Sequence, residues 1–291
     1  MPTVFADIVS AGAISFNDDG NKPVGAVVWG LDSMLGWGGT SKLISSSTPK
    51  GAWGDGDIFG SYFSSSGRNM TLGGYCWASD RAQAEQLKDL LIGDAFPINS
   101  DIVLTRQEPI PKTVTVRVTD EISFEMVGSD KFRWVVPVSS ESPYKFSVTE
   151  SSYGPVGAAG SSLGGFSFPL SMPLEFVGSS GIDANLLAVV NLGTAPSYAR
   201  LQLTGPLVSG AWRVSNETTG EYIGYHLSAS AGDIVIIDME GQYATVNGEI
   251  SSASLFGDFW PLKPRSTNML KLFTSSDPST SLSATARSAW R

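Results

Sequence analysis

At 291 residues, with 16% charged and 10% aromatic side chains, the chain is too long for one ordinary core and too apolar to be disordered, so two folded domains are expected. Its 28 acids against 19 bases leave a net charge of −9, which excludes an electrostatic wrap around nucleic-acid phosphates. One histidine and one cysteine exclude a disulfide framework and a His/Cys metal cluster, and 32 glycines favour short strands and tight turns over helices.

The first residues carry an early acid, Asp7, and no basic segment, so no signal peptide is expected. No apolar run reaches the length of about 18 residues that spans a bilayer, and membrane insertion is not expected. The lone thiol, Cys76, suits a reducing cytosol.

In chain order, the apolar residues from Val4 to Phe16 and from Val24 to Trp29 flank Asn17-Asp18-Asp19-Gly20-Asn21, which predicts an N-terminal hairpin turning at 17–21. Gly36 to Gly67 is rich in Gly, Ser and aromatic residues and has no periodicity. It reads as a long loop ordered by a neighbour, within the chain or across an assembly. Its Trp37, Trp53, Phe59, Tyr62 and Phe63, with Arg68 where the next strand begins, are the candidate assembly residues; own-core packing is the competing reading. Ser79 is expected to cap one helix from Asp80 to about Ile92, with Ala84, Leu87, Leu90 and Leu91 on one face and Gly93 as its stop. Residues 102–104, 113–118, 122–127 and 132–138 then read as consecutive strands.

Ser151 to Gly165, small and almost uncharged, marks the boundary, giving expected domains 1–152 and 153–291. Beyond it, strand-length apolar runs are punctuated by turn residues, as in a β-sandwich. Leu201 and Leu203 alternate with polar residues, as do Ile223, Tyr225 and Leu227. Ile234 to Ile237 has no polar residue and is expected to be covered on both faces. Asn247-Gly248 is a strong hairpin signal.

Nothing in this pattern organises catalysis. Any histidine-based mechanism must pass through His226, which the alternation places beside Tyr222 on an outer face, and no nucleophile elbow or phosphate loop is present. Asp55-Gly56-Asp57 lacks the further acids of a calcium loop, and of the clustered acids Asp233, Asp238, Glu240 and Glu249 that could serve glycoside hydrolysis, Asp233 and Asp238 are explained as turn residues flanking a buried strand. No enzyme activity, cofactor or metal is expected.

The second half also carries a resemblance. Asn191, Gly193, Leu203, Gly205 and Pro206, then Thr218-Thr219-Gly220, Ala231-Gly232-Asp233, Ile237-Asp238 and Val246-Asn247-Gly248, form an ordered set similar to siphophage distal tail proteins. Gly165 to Phe176 resembles the Pro-bounded strands of that family, and the terminal Ala286 to Trp290 its closing strand. Glu141-Ser142-Pro143-Tyr144 resembles the motif that ends its first domain, with Glu for Asp.

The resemblance implies a mainly β chain: an N-terminal split-barrel-like, ring-forming domain with one helix, and a C-terminal galectin-like β-sandwich. It further implies a structural hub, six copies in a ring joining tail tube to the tip or baseplate, with partners in the tube protein above and the tail-associated hub protein below. Viral DNA would pass through without specific binding. The protein would be assembled in the host bacterial cytoplasm and reside in the virion tail tip. A carbohydrate-binding module for host-surface adhesion is the alternative, because such sandwiches bind sugars and the chain has eight Trp.

Overall fold

The computed structural model describes residues 7–18, 27–39, 43–47, 59–157, 186–207, 212–226, 228–274 and 280–291. The chain divides into two compact units, Met1–Val148 with Arg291, and Thr149–Trp290. Both are built mainly of strands, as the composition predicts.

The first unit has strands β1 (Val9–Ala11), β2 (Ile14–Phe16), β3 (Val28–Leu35), β4 (Leu43–Ser47), β5 (Phe59–Ser65), β6 (Arg68–Trp77), β7 (Ile102–Arg106), β8 (Lys112–Val118), β9 (Ser123–Met126), β10 (Lys131–Ser140) and β11 (Lys145–Ser147). One antiparallel sheet runs β2-β1-β7-β8-β10-β6-β3, with β9 on β10 and β11 on β8. Phe132, Trp134, Val136 and Val138 of β10 are buried at every second position, which fixes the register, because a one-residue slip would turn them all to solvent.

The sheet curls until its end strands meet: the Asn17 N–H donates to Trp29 O at 2.8 Å, joining the end of β2 to β3. Aromatic rings fill the space inside. Phe16 lies 5.0 Å from Trp134, 6.3 Å from Phe96 and edge-on to Trp29 at 6.1 Å, measured between ring centres.

A hairpin joins β1 and β2 at Gly12, whose φ of +54° and close approach to the Asp94 carbonyl leave no room for a Cβ; of the turn expected at 17–21, residues 19–21 lie outside the described residues. The loop expected over 36–67 contains β4 and β5, paired from Leu43↔Ser65 to Ser47↔Phe59 as a two-stranded sheet of their own. The sequences Leu-Ile-Ser-Ser-Ser of β4 and Phe-Gly-Ser-Tyr-Phe-Ser-Ser of β5 lack the alternating apolar period by which strands are recognised, and the backbone pairing does not require it.

Helix α1 (Arg81–Leu90) is capped by Asp80, whose Oδ1 accepts from the Gln83 N–H at 2.8 Å, while Gln83 Oε1 accepts from the Ser79 N–H. The cap therefore lies one residue beyond the expected Ser79. Gly93 does not stop the helix, which widens into a π-turn over Leu91–Ala95. Ala84, Leu87 and Leu91 are buried as expected, but Leu90 sits at the flank of that face and is exposed.

The second unit has strands β12 (Ser151–Gly157), β13 (Leu186–Asn191), β14 (Ala199–Thr204), β15 (Trp212–Asn216), β16 (Glu221–Tyr225), β17 (Ile234–Asp238), β18 (Tyr243–Val246), β19 (Glu249–Ile250), β20 (Leu255–Gly257), β21 (Ser266–Thr274), β22 (Ser281–Ala286) and β23 (Ala289–Trp290). Strands β12 to β22 form two sheets, β12-β22-β14-β17-β18-β19 and β13-β21-β15-β16-β20. A core including Leu201, Leu203, Trp212, Ile223, Tyr225, Val235, Ile237, Leu270 and Leu272 is the expected sandwich interior.

Asn247 and Gly248, at φ +50° and +91°, turn β18 into β19 as the dipeptide predicts. β17 departs from expectation. It is central in its sheet, but only Val235 and Ile237 face the core, and Ile234 is 40% exposed. A sandwich sheet has one dry face, and the outward isoleucines serve backbone preference. Ser151 to Gly157, read as boundary sequence, is strand β12 on β22. Residues 165–176 and Leu227 lie outside the described residues.

Candidate assembly site

Of the six candidate assembly residues, Trp37 and Arg68 are brought together. Trp53, and the side chains of Phe59, Tyr62 and Phe63, lie outside the described residues. The backbone of the last three is in β5, the returning strand of the separate hairpin.

Arg68, the first residue of β6, is 1% exposed. Its Nη1 donates to the carbonyls of Gly36 at 2.7 Å, Trp37 at 3.2 Å and Gly39 at 2.5 Å, and its Nη2 to Pro143 at 3.0 Å. One guanidinium thus ties the segment leaving for the hairpin to the strand returning from it and to residue 143. Only arginine has the planar fork of donors that can do so. All these acceptors are neutral and Nε has no partner among the described residues, so burial lowers the Arg68 pKa. Gly36 admits the close approach: at φ +86°, a Cβ there would stand 2.2 Å from Asn69 O.

Trp37 is equally buried, and its Nε1–H donates to Glu108 Oε1 at 2.7 Å. Cations surround it: Lys145 Nζ donates to Trp37 O at 2.8 Å and lies 5.7 Å from the ring centre, with the Arg106 guanidinium 5.9 Å away. Arg106 also pairs with Asp7 at 2.8 Å and Glu108 at 3.4 Å, and Lys112 pairs with Glu108.

Burial would raise the Glu108 carboxyl, but hydrogen bonds from Lys112 and Trp37 and the charges of Lys112 and Arg106 outweigh it, leaving the pKa below the usual value. Lys145 is driven down to about 8, first by burial, then by repulsion from Arg68 and Lys112, with Glu108 opposing. The arrangement is a buried, charge-rich root for the β4–β5 pair. Sequence reading missed Glu108 and Lys145. Lys145 directly follows the Glu141-Ser142-Pro143-Tyr144 motif, the one signal near it.

A cleft of about 670 Å³ opens nearby, lined in part by Gly67, Ser140 and Phe146. Arg117 stands over it between Asp101 at 2.6 Å and Glu141 at 3.4 Å.

The residues weighed for catalysis are not assembled for it. His226 is exposed and stacks on Phe256, with ring centres 4.4 Å apart. Cys76 is buried in β6. Asp233 accepts from the Ser230 N–H and Asn247 Nδ2, and Asp238 from the Gly241 N–H and Arg200, all turn and cross-strand bonds. Asp55 to Asp57 lie outside the described residues, and among the described residues no cluster of His, Cys, Asp or Glu is arranged to hold a metal.

Residues 192–286 match the family model described as a siphovirus-type tail component, C-terminal domain. No curated protein sequence matches the chain. Among solved structures, the chain is similar to the Dit protein of phage SPP1, described as a paradigm of the hub adsorption apparatus in phages infecting Gram-positive bacteria. The identity is 11% and the TM-score 0.67, over 98% of this chain and 99% of that one. Chains of the activated phage p2 baseplate, solved with strontium and with calcium, match at 11% and 12% identity over 96% of this chain and 97% of theirs, with a TM-score of 0.42 that is too low to argue from. Residues 192–286 are thus similar to the C-terminal domain of siphovirus-type tail components, and over 98% of its length the chain has the Dit-like fold.

Proposed function

We propose that the protein is the distal tail hub of a long-tailed bacteriophage: six copies form a ring that joins the tail tube to the tip or baseplate and leaves a passage for DNA. The observation that carries this reading is the tail-component domain at 192–286, set within a fold shared end to end with a protein named as a hub of the adsorption apparatus. A net charge of −9 per copy supports a conduit that does not retain the DNA backbone. The tube protein above and the tail-associated protein below are the other partners; assembly takes place in the host cytoplasm and the product resides in the virion tail tip. The role is structural, without catalysis.

In this reading the first unit makes the ring, and the β4–β5 hairpin is its assembly arm. Trp53, Phe59, Tyr62 and Phe63 belong to the arm, and Trp37 and Arg68 fix its root. Negative-stain imaging and light scattering of the purified chain test the ring, with six-membered annuli expected; a monomer at every concentration, with no labelling of tail tips by a specific antibody, overturns it. The double substitution Trp53→Ala with Phe59→Ala is expected to leave a folded monomer that forms no ring. A double mutant that assembles like the parent removes the arm from the proposal.

A further inference from the structure

The outer face of the β13-β21-β15-β16-β20 sheet is not the plain polar surface of an ordinary sandwich. Residues paired across antiparallel strands share a face, so Phe273↔Arg213↔Gly224↔Phe256 and Lys271↔Ser215↔Tyr222 form two adjacent rows on it. The Arg213 guanidinium carbon lies 4.8 Å from the Phe273 ring centre and 5.5 Å from that of Tyr222, and Lys271 Nζ is 5.4 Å from Phe273. The tip of the Phe256 ring covers Gly224, where a Cβ would come within 2.2 Å of it, and His226 flanks the ring. Arg213 is exposed and pairs with no carboxylate among the described residues.

This geometry chooses between ligands. A sugar platform needs open ring faces, and here cations cover those of Phe273 and Tyr222. What remains presented is a guanidinium held between two rings, its edge free for a carboxylate or phosphate. Beside Lys271 is a pocket of about 240 Å³, also lined by Leu186, Met269, Thr218 and Glu217. Its apolar wall suits one aliphatic or aromatic side chain, and the Glu217 carboxylate in its lining disfavours a polyanion there. A phosphate polymer carries no apolar group to fill that wall, whereas a protein segment with an acidic residue beside an apolar one can occupy both the Arg213 edge and the pocket.

We propose that this face docks an acidic segment of another protein, with a carboxylate on Arg213 and a neighbouring apolar side chain in the pocket. On the hub reading that protein would be a further tail component, but the docking chemistry stands on the second unit alone.

The test selects a random-peptide library on the immobilised full chain, with Arg213→Glu and Arg213→Gln variants in parallel and ring formation measured on the same samples. Enriched peptides are expected to carry Asp or Glu beside an apolar residue, and to lose about tenfold or more of their affinity on Arg213→Glu while melting temperature and assembly stay unchanged. Peptides without acids, equal binding to the variants, or no enrichment overturn the proposal. Arg213-dependent binding of poly(glycerol phosphate) in place of peptides also overturns it, and assigns the face to a polymer. A chain that binds peptides as expected but never forms rings would leave this inference standing and the hub reading fallen.

Discussion

The carboxamide of Asn17 gives Leu31 both of the hydrogen bonds that a neighbouring strand would have given it: Nδ2 donates to Leu31 O at 3.1 Å, and Oδ1 accepts from the Leu31 N–H at 2.8 Å. An edge strand with open backbone groups invites pairing with other chains, and this side chain occupies part of the β3 edge while holding it to β2. Asn17 adopts φ +60°, a conformation that Asn tolerates and most residues do not. Asn17→Ala is therefore expected to cost about 2 to 3 kcal/mol in urea unfolding, from the lost side-chain bonds to Leu31 and to Asp7 O and from backbone strain. Asn17→Gly removes the bonds but not the conformation and should cost roughly 1 kcal/mol less. Equal losses would show that the backbone conformation is not the discriminating term.

Arg68 makes a complementary prediction at the hairpin root. Arg68→Met leaves the carbonyls of Gly36, Trp37, Gly39 and Pro143 without the donor they share, and should destabilise the first unit by about 3 kcal/mol or more. Arg68→Lys retains the charge but not the fork, so it is expected to recover only part of that loss. Differential scanning calorimetry separates the two cases. Full rescue by Lys would mean that charge, not geometry, holds the root.

In the second unit, Gly193 lies against the chain near its end: a Cβ there would fall 1.7 Å from Ala289 O, a backbone atom that cannot step aside. The buried Asn191 carboxamide locks this crossing, accepting from the N–H groups of Gly193 and Ala289 and donating to Ala195 O. Gly193→Ala is expected to cost more than about 3 kcal/mol and to free the terminal residues to hydrogen exchange. Unchanged protection at residues 286–290 would contradict it.

The legible parts of this chain were those in which local chemistry and global packing agree. Asn247-Gly248, the alternation of β14 and the buried face of α1 each express one constraint that the fold does not override. The errors share a cause: sequence near each site satisfied more than one role. Residues 36–67 show no apolar period, yet β4 and β5 within them pair through their backbones; Ser151 to Gly157 is small and uncharged like a linker, yet pairs as β12; and Ile234 is hydrophobic yet faces outward. At the hairpin root, Trp37 and Arg68 were legible as unusual. Glu108 and Lys145 were not, because the charges that surround Trp37 come from positions far apart in the chain.

That same cluster gives a pH dependence whose sign is fixed by Lys145. Its folded-state pKa is lowered to about 8 from an ordinary 10.5, with burial the first cause, because the charged ammonium is desolvated beside Arg68. The unfolded chain therefore holds the proton more tightly than the folded one, and protonation opposes folding. Below pH 8 both states are charged and the full penalty is present. As pH rises from about 8 towards 10.5 the folded state releases the proton first and the penalty is relieved, so this group makes stability increase with pH in that window. Lys145→Met removes the titration and should flatten that increase, at the expense of leaving Trp37 O without its Nζ donor. Urea midpoints measured from pH 7 to 10 on parent and variant are expected to diverge, with the parent gaining up to roughly 3 kcal/mol relative to Lys145→Met. Parallel curves would show that Lys145 keeps an ordinary pKa, and that the hairpin root is more hydrated than its burial implies.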